Sequence, residues 1–381
     1  MNPINVLYVF GDKLRHGGIE NFMMNYFRHI DKNIIHIDFA VQGYAKGAFD
    51  EEIEKSGSCI YRLPKPGQHF FQYKKEFCKI LASNKYKIIH AHCDAMNFRI
   101  LRLAKKYNIP IRISHSHNTQ HILSGKSKLK AIYYEYSRKR IVKYATVCYA
   151  CSWDAGKWLY GNHKFRIIPN AIDIDKFLFR SESRSQFREK YAISKETIVL
   201  GHVGRFDVQK NQMFLLDLLE NLVKAGDRKY ILLMVGDGWM KNAIRRSVLN
   251  RGLEENVIFT GEVVNPQDYY NMMDIFLIPS LYEGYCIALE EAEVNGLPCI
   301  ASKDIPKEVD VLKRITYLPL KVNIWMSNLL EFFPIKRYRG AAEELKLKGY
   351  DIHDAAKKLQ NEYVRLYQES VDEKRCTKYQ S

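Results

Sequence analysis

Short apolar runs rich in β-branched residues alternate with amphipathic stretches from one end of the chain to the other. A first series of such runs predicts the strands Asn5–Phe10, Ile35–Val41, Cys59–Leu63, Ile88–Ala91, Ile111–Ser114, Ala145–Ser152 and Arg166–Ile168. A second series begins after Asp173–Phe177 and predicts the strands Thr197–Val203, Tyr230–Val235, Val257–Thr260, Ile275–Pro279 and Cys299–Ala301. Strand–helix alternation of this kind is typical of parallel sheets that carry helices on both faces. The pattern therefore predicts an α/β protein with two doubly wound domains.

The break between the two series predicts the domain boundary. Residues 1–173 form the first predicted domain and residues 174–351 the second, with the polar stretch Arg180–Lys195 as a linker or as the first helix after it. Apolar residues recur at helical spacing over Ile352–Tyr367, which predicts a closing helix over about residues 352–369. We expect this helix to pack back on the first domain and residues 370–381 to form a flexible tail.

Length and composition are those of a globular protein that can bury two cores. The chain has 381 residues, of which 46% are hydrophobic and 27% are charged. Its longest apolar runs, such as Ile4–Phe10, are strand-sized, and none approaches the roughly 18 residues that a membrane-spanning helix needs. Because the N-terminal residues read as a first strand and lack the features of a signal peptide, we expect the protein to remain inside the cell.

Cysteine usage and net charge bear on location and partners. Eight scattered cysteines fit reduced thiols in a cytoplasm, and the CxxC pair Cys148 and Cys151 is interpreted as part of a buried strand because no second pair completes a metal site. The formal net charge of +16 predicts attraction to a polyanion: nucleic acid, anionic lipid or a phosphorylated substrate. Charge alone does not choose among these three.

Glycines and cations follow several of the predicted strands. Gly17 and Gly18 come after the first strand and before a helix, where they indicate either an anion-binding turn or a simple tight turn. In the second domain, Arg205 and Lys210 follow the strand that ends near Gly204. An Arg fork and a Lys point charge at the carboxyl edge of a parallel sheet suit a diphosphate.

The densest signal lies between residues 279 and 298. A strand ends at Pro279, a glycine turn follows, and a helix is predicted to begin near Tyr285, where free amides and the helix dipole favour negative charge. Glu283 precedes this helix and Glu291 lies roughly 12 Å further along it, at about 1.5 Å per residue. Two carboxylates so far apart cannot act on one atom, but they can bind different parts of one long ligand.

These residues carry a resemblance to a known family. Glu283 and Glu291 form an E-x7-E pair, and the passage Ser280–Ser302 resembles the signature of glycosyltransferase family 4, whose members have the GT-B fold. The resemblance covers almost the whole chain, and the order and spacing of its motifs are specific although each motif alone is weak. The other matching motifs are Gly17–Gly18, His90–His92, Pro169–Asn170, Gly204–Arg205, Lys210–Asn211 and Gly236–Gly238.

Two further segments, Arg112–Thr119 and Ser302–Val309, are similar to those of bacterial capsule and exopolysaccharide transferases of that family. The resemblance implies two Rossmann-like domains with the active site in an interdomain cleft. It further implies a retaining transfer from a nucleotide-sugar, most often a UDP-sugar, without a covalent nucleophile, a metal or a cofactor.

The resemblance also implies a role for each matching residue. Arg205 and Lys210 would hold the donor diphosphate and stabilise charge on the departing nucleotide. Glu283 would bind hydroxyls of the transferred sugar, and Glu291 would accept hydrogen bonds from the ribose. A further set of residues would either bind the phosphates through backbone amides or let the backbone come close to them. These residues are Gly17, Gly18, Gly204, Gly236, Asp237, Gly284, Tyr285 and Cys286.

A catalytic histidine is implied after the fifth strand. His115 and His117 share a strand face, and His117 is preferred because it lies nearer the strand end. His92 and His115 are the second choices, on the acceptor side, although histidines such as His90 and His92 can also merely support loops. Cys286 stands where the family usually has proline, which alters the turn and keeps its amides.

A DxD pattern at Asp173 and Asp175 matches the metal ligands of a different transferase class. Here it follows Pro169–Asn170, which the resemblance identifies as the interdomain crossover. A structural turn is therefore the preferred interpretation, and no metal is expected.

The acceptor and a membrane contact are predicted from the distribution of basic residues along the chain. Lys126–Lys143 contains seven Lys and Arg residues and one acidic residue, Glu135, and its apolar residues recur at helical spacing. Such a helix suits an anionic membrane surface, with a helix packed on its domain as an equal alternative. We expect peripheral binding at the inner face of the cell membrane and a polyprenyl-diphosphate-linked or other saccharide acceptor.

Two other functions are considered. The charge and the 25 tyrosines would also suit a nucleic-acid-binding protein, but no recognised binding motif supports this, and no nucleic-acid partner is expected. A catalytically silent GT-B scaffold that binds nucleic acid or membrane is the other alternative. The intact set Arg205, Lys210, Glu283 and Glu291 argues against it.

Overall fold

The computed structural model describes residues 2–15, 17–118, 128–283 and 285–378, with only the backbone at 128–131 and 373–378. The chain divides into two compact units. The first consists of residues 1–171 and 352–381, and the second consists of residues 172–351. The division thus falls two residues before the predicted boundary.

Seven parallel strands form the sheet of the first unit, in the order β3-β2-β1-β4-β5-β6-β7. Their apolar side chains are buried on both faces, as expected for a doubly wound sheet. The strands are β1 (Ile4–Phe10), β2 (Ile35–Gln42), β3 (Ile60–Leu63), β4 (Ile88–His92), β5 (Ile111–Ser116), β6 (Val147–Ala150) and β7 (Arg166–Ile167).

Helices connect these strands as the amphipathic pattern predicts. They are α1 (Gly18–His29), α2 (Asp50–Lys55), α3 (Phe70–Ala82), α4 (Asn97–Lys106), α5 (Lys128–Arg138) and α6 (Trp153–Tyr160). Short 3-10 turns at Asp94–Met96 and Ile141–Lys143 follow β4 and α5. The order of the sheet reverses between β1 and β4, and the carboxyl ends of those strands are where α/β sheets bind ligands.

Six parallel strands form the sheet of the second unit, in the order β10-β9-β8-β11-β12-β13. They are β8 (Ile198–Val203), β9 (Tyr230–Val235), β10 (Val257–Gly261), β11 (Ile275–Ile278), β12 (Cys299–Ser302) and β13 (Ile315–Leu318). The sequence pattern missed β13, which has four residues and lies after a charged turn at Lys313–Arg314. The order reverses between β8 and β11.

The helices of the second unit cover both faces of its sheet. They are α7 (Ile174–Phe177), α8 (Ser181–Lys190), α9 (Gln212–Ala225), α10 (Lys241–Asn250), α11 (Gln267–Met272), α12 (Ile287–Val294), α13 (Val322–Glu331) and α14 (Ala341–Leu347). Short 3-10 turns occur at Glu254–Asn256 and Lys307–Val309. The polar stretch after the predicted boundary is therefore largely the helix α8.

The last helix, α15 (Ile352–Lys378), belongs to the first unit, and Leu359 and Tyr363 pack in its core. The predicted flexible tail 370–381 is wrong as far as residue 378, because the helix continues to that point. Strong helix formers and ion pairs one turn apart, such as Arg365 with Glu362 and Glu369, favour this extension. Residues 379–381 lie outside the described part of the chain. No helix in the described part is long and apolar enough to cross a membrane.

Candidate active site

The loops after β8 and β11 lie at the switch point of the second sheet. These strands are neighbours in the sheet but not in the chain, so the connections that follow them leave in opposite directions and open a crevice at the carboxyl ends. The first loop carries Arg205 and Lys210, and the second carries Glu283. The topology thus brings together three residues that are up to 78 positions apart in the sequence.

A buried ion pair links the two loops. Nζ of Lys210 lies 2.6 Å from Oε1 of Glu283, and only 17% and 5% of the two side chains are exposed. Oγ of Ser280 donates to the same oxygen over 2.7 Å, and Nε2 of Gln209 donates to Oε2 of Glu283 over 3.2 Å. Both carboxylate oxygens are therefore hydrogen-bonded, and the Lys210–Glu283 pair is held in one geometry.

The surroundings keep Lys210 charged. Burial alone would lower the pKa of its ammonium group, but nearby groups that include Glu283 and Asp207 outweigh this, so the pKa lies above its ordinary value. A cation shielded from bulk water interacts more strongly with a phosphate than a solvated one does. Lys210 therefore suits the predicted role of a diphosphate ligand.

Asp207 organises the loop after β8, although the sequence analysis did not select it. Its Oδ2 accepts a 2.7 Å hydrogen bond from Nε of Arg205, and its Oδ1 accepts one of 3.1 Å from the amide of Lys210. The Arg205 side chain is 63% exposed. Asp207 thus fixes the stem of an otherwise accessible guanidinium group beside the buried Lys210.

Glycines after β9 let that loop approach the loop after β8. A Cβ atom on Gly236 would lie 2.1 Å from the carbonyl oxygen of Gly204, and one on Gly238 would lie 2.3 Å from that of Phe206. The amide of Phe206 donates to the carbonyl of Asp237 over 2.8 Å, while the Asp237 side chain pairs with Lys241. The structure gives Gly204, Gly236 and Asp237 this packing role, and their contacts with a donor stay predictions.

The turn before α12 is only partly as expected. The helix begins at Ile287, two residues after the predicted start, with Cys286 at its N-cap. Cys286 is buried, and burial raises the pKa of its thiol to about 12, so it is a neutral thiol rather than a nucleophile. Tyr285 lies in the described turn, whereas Gly284 lies outside the described residues.

Glu291 lies on α12 and is half-buried. The hydroxyl of Tyr270 donates to its Oε2 over 2.7 Å. Burial raises the pKa of Glu291 to about 7, although the hydrogen bond from Tyr270 opposes the shift. A carboxyl group whose pKa is about 7 is partly ionised at neutral pH, and its ionised form can accept hydrogen bonds from hydroxyl groups.

The glycine pair of the first unit lies at the start of α1. Gly17 is the N-cap and Gly18 the first helical residue. A Cβ atom on Gly17 would lie 2.5 Å from a carboxylate oxygen of Glu20, whose Oε1 accepts a 3.3 Å hydrogen bond from the amide of Arg15. The buried Glu20, whose pKa is raised by desolvation, therefore folds back against this loop and packs against Gly17.

Four histidines cluster at the carboxyl edge of the first sheet, on β4 and at the end of β5. Nδ1 of His92 lies 2.9 Å from Nε2 of His117, and Nε2 of His90 lies 3.0 Å from Nδ1 of His115. The rings of His115 and His117 stack with their centroids 4.2 Å apart. His90 also contacts the hydroxyl of Tyr363 over 2.6 Å.

Burial keeps these rings neutral. Desolvation lowers the pKa of His117 to about 3 and lowers the pKa values of His90, His92 and His115 well below the ordinary range. Phe22 of α1 meets the rings of His115 and His117 edge-on, at 4.8 and 5.0 Å. His115 and His117 thus share one face, as predicted, and His117 lies beyond the last residue of β5.

Two groups of side chains bear on the metal prediction. Nitrogen atoms of His90, His92 and His115 lie within 4.8 Å of one another, so these residues could hold a metal ion, but it would compete with the hydrogen bonds described above. Asp173 caps α7 by accepting from the amide of Lys176 over 3.1 Å, and Asp175 pairs with Lys346 over 2.7 Å. These two carboxylates thus have structural roles, as the turn interpretation predicted.

Several residues that shape the site were missed by the sequence analysis. Ser280 and Gln209 lie beside predicted residues and only their geometry reveals them. Tyr270 reaches Glu291 from a different helix, 21 positions away. Asp94 accepts hydrogen bonds from the amide of His117 over 2.8 Å and from Nδ2 of Asn118 over 2.5 Å. The backbone of Asp94 has a positive φ of 45°, and no pattern in the sequence predicts this conformation.

Models of two protein families match most of the chain. The model described as Glycosyltransferase Family 4 matches residues 16–176, and the model described as Glycosyl transferases group 1 matches residues 183–314. The chain is also 30% identical to the putative glycosyltransferase EpsF of Bacillus subtilis, over 94% of this chain and 96% of that protein. The chain belongs to glycosyltransferase family 4.

Other relatives have more specific names. This glycosyltransferase is 26% identical to the capsular polysaccharide biosynthesis glycosyltransferase CapH of Staphylococcus aureus, over 78% of this chain and 81% of CapH. It is 25% identical to the UDP-Gal:alpha-D-GlcNAc-diphosphoundecaprenol alpha-1,3-galactosyltransferase of Escherichia coli, over 59% of each chain.

Solved structures confirm the fold. This glycosyltransferase matches the crystal structure of Anabaena HepE in complex with UDP and glucose with a TM-score of 0.73, over 95% of this chain and 100% of HepE. The two sequences are 16% identical, so the match shows the fold alone. The predicted GT-B fold with two Rossmann-like units is therefore confirmed.

Proposed function

We propose that this glycosyltransferase transfers a hexosyl unit from a UDP-sugar, with retention of anomeric configuration and without a metal, to a lipid-linked saccharide in cell-surface polysaccharide synthesis. The observation that carries the donor part of the proposal is the buried Lys210–Glu283 pair at the switch point of the second sheet. It provides one cation for a diphosphate and one carboxylate for sugar hydroxyls. The solved complexes of HepE with UDP support uridine as the donor base.

The chemistry follows from these groups. Lys210 and Arg205 stabilise the negative charge that grows on the diphosphate as the bond between the anomeric carbon and the phosphate oxygen breaks. An acceptor hydroxyl oxygen attacks the same face of the oxocarbenium-like sugar and gives its proton to the departing diphosphate. Two protein cations fulfil the electrostatic task that a metal performs in other transferases. Glu291 accepts hydrogen bonds from the ribose.

The acceptor part of the proposal is supported by the names of the relatives. CapH is named for capsular polysaccharide biosynthesis, and the Escherichia coli relative is named for a sugar carried on diphosphoundecaprenol. A lipid-linked acceptor would require the enzyme to work at a membrane surface. A patch on the first unit has the composition for such contact.

This aromatic–basic patch consists of side chains on α3, α4 and α5 and in the turn after α5: Phe70, Phe71, Arg99, Ile132, Tyr136, Lys139 and Arg140. All of them are exposed except Arg99, which is half-buried. The Phe71 side chain is 85% exposed and that of Ile132 is 66% exposed. The guanidinium group of Arg99 lies 4.9 Å from the ring centre of Phe70 and 4.4 Å from that of Tyr133, which joins the three helices. Exposed aromatic, aliphatic and basic side chains together suit an anionic lipid interface.

The structure also refines which basic residues of Lys126–Lys143 can face lipid. Arg138 is bound to both oxygens of Glu135, at 2.9 and 2.6 Å, and to the carbonyl of Trp158, so it is committed within its own unit. Lys139 is exposed. Lys126 and Ser127 lie outside the described residues, and Lys128 and Lys130 are described by their backbone alone.

The donor assignment can be tested by a thermal-shift screen of UDP-, GDP- and ADP-sugars. We expect UDP-sugars to raise the melting temperature of the parent protein and of Lys224→Ala, which removes an exposed ion pair on α9. The shift should be lost in Lys210→Ala. A shift with GDP- or ADP-sugars and none with UDP-sugars would overturn the uridine assignment.

A further inference from the structure

His92 and His117 form one of the two hydrogen-bonded pairs in the histidine cluster at the carboxyl edge of the first sheet. Nε2 of His117 is occupied by Nδ1 of His92, 2.9 Å away. Nδ1 of His117 has no hydrogen-bond partner among the described residues, and it is not one of the fully buried, unpartnered nitrogen atoms. By contrast, Nε2 of His92 is fully buried and has no partner. Each ring thus keeps one nitrogen that has no hydrogen-bond partner among the described residues, and that of His92 is fully buried.

Neutral imidazoles carry one N–H each, so the pair has two possible arrangements. If His92 is protonated on Nδ1, it donates to His117, and the sealed Nε2 of His92 is a bare acceptor. If His117 is protonated on Nε2, it donates to His92, and the sealed Nε2 of His92 must carry a buried N–H without a partner. An orphaned buried donor is the less tolerated of the two, so the first arrangement is favoured.

The backbone at this position is also held. Asp94 accepts the amide hydrogen of His117 and binds Asn118, and it does so from a left-handed conformation with φ of 45°. A non-glycine residue in this region is strained, and such strain is retained where the surrounding structure requires it. Phe22 packs edge-on against the His117 ring. Ring position, ring orientation and tautomer of His117 are therefore each fixed by a different neighbour.

We infer that His92 is a positioning residue that holds His117 with its proton on Nδ1, so that His117 presents an N–H donor to a hydroxyl oxygen of the saccharide bound at this edge. The inference deepens the proposed function and rests on it for the identity of the ligand. The tautomer itself does not depend on that function. A donor of this kind orients a sugar hydroxyl and does not accept its proton.

The tautomer can be read directly by ¹⁵N NMR of the full-length protein labelled at histidine, with the His117 signal assigned by its loss in His117→Asn. We expect a protonated Nδ1 and a bare Nε2 on His117 in the parent protein. His92→Asn places an amide nitrogen near the former Nδ1 and should preserve this pattern. His92→Phe removes the hydrogen bond and should allow the other tautomer to appear.

Kinetics then separate a positioning role from a structural one. His92→Phe should lower kcat by about 10² with little change in the KM for the donor, because a misplaced catalytic group commonly costs that much, and His92→Asn should restore most of the loss. For the same reason, His117→Asn, which keeps an N–H near the Nδ1 position, should retain more activity than His117→Gln. An Nε2-protonated His117 in the parent, or an unchanged tautomer in His92→Phe, would overturn the inference. If no nucleotide-sugar is turned over, the proposed function fails while the NMR result still decides the tautomer.

Discussion

The switch points of the two sheets occupy equivalent topological positions and carry opposite chemistry. In the second unit, the loops after β8 and β11 hold a charged, buried pair whose ammonium group keeps a raised pKa. In the first unit, β4 and β5 bring together four imidazoles that burial keeps neutral, with a pKa of about 3 for His117. The proposed function assigns the first of these sites to phosphate charge and the second to hydroxyl groups.

Under the proposed function, the difference would let one fold serve two kinds of ligand. A diphosphate needs fixed positive charge, and Lys210 can supply it because nearby groups that include Glu283 and Asp207 offset the cost of its burial. A saccharide hydroxyl needs a directed donor or acceptor, and a charged ring would instead attract the phosphates. Parallel sheets place ligand groups at the same edge, while the residue types in the loops decide which ligand binds.

The largest expected effect comes from removing charge at the second switch point. Lys210→Ala and Glu283→Gln should each lower turnover by about 10²–10³, because each removes a preorganised electrostatic contact. Glu283→Gln keeps the shape of the side chain but leaves the buried Lys210 ammonium group without its counter-ion, so the melting temperature should also fall. Lys224→Ala breaks an ion pair of equal length at the surface of α9 and should leave turnover unchanged. Near-native turnover in Lys210→Ala would remove Lys210 from the site.

A second test uses the pKa of Glu291. Because its pKa is about 7 and ribose binding needs the ionised form, donor affinity should fall by up to about tenfold per pH unit as the pH drops below 7. Affinity should level off above pH 7, where the carboxylate is already ionised. Calorimetry can measure this pH dependence of the affinity. An intact UDP-sugar is used as the ligand so that titration of the phosphates does not contribute. Glu291→Gln should bind weakly with no such pH dependence, whereas a parent affinity that rises at low pH would contradict the assignment.

A smaller effect is expected at the aromatic–basic patch. Lys139→Ser should weaken binding to anionic vesicles about fivefold at low salt, since one basic residue near such a surface contributes about 1 kcal/mol. Phe71→Ser with Ile132→Ser should weaken binding further and with less dependence on salt. Leu347→Ser, which removes an exposed leucine of α14, is the matched control. Unchanged vesicle binding in all patch variants would place the membrane face elsewhere.

The smallest expected effect is that of a chelator. Turnover should survive EDTA because Arg205 and Lys210 supply the positive potential. Loss of activity that Mn²⁺ restores would contradict this and would reopen the roles of Asp173 and Asp175, which the structure assigns to a helix cap and an ion pair.

Elements with strong local signals could be predicted from the sequence. The alternation of apolar strands and amphipathic helices predicted both sheets, because burial on both faces leaves continuous β-branched runs. The strand β13 was missed because four residues after a charged turn give too short a run. The end of α15 was misplaced because its last turns are polar all round, and polarity alone does not distinguish a solvated helix from a tail.

Within the site, residue types could be predicted but pairings could not. Lys210 and Glu283 were each selected by motif, yet their contact depends on the crossover that places β8 beside β11. Asp207, Ser280 and Tyr270 belong to residue types that are common on any surface. Their roles arise from tertiary hydrogen bonds, for which no local pattern in the chain exists.

The central claim is that Lys210 holds the donor diphosphate, and calorimetric titration tests it most directly. UDP, UMP and uridine would be titrated into the parent protein, Lys210→Ala and the control Lys224→Ala. The account predicts that Lys210→Ala weakens UDP binding at least tenfold while uridine binding stays the same, and that Lys224→Ala behaves like the parent. Equal UDP affinity in Lys210→Ala and the parent would contradict it.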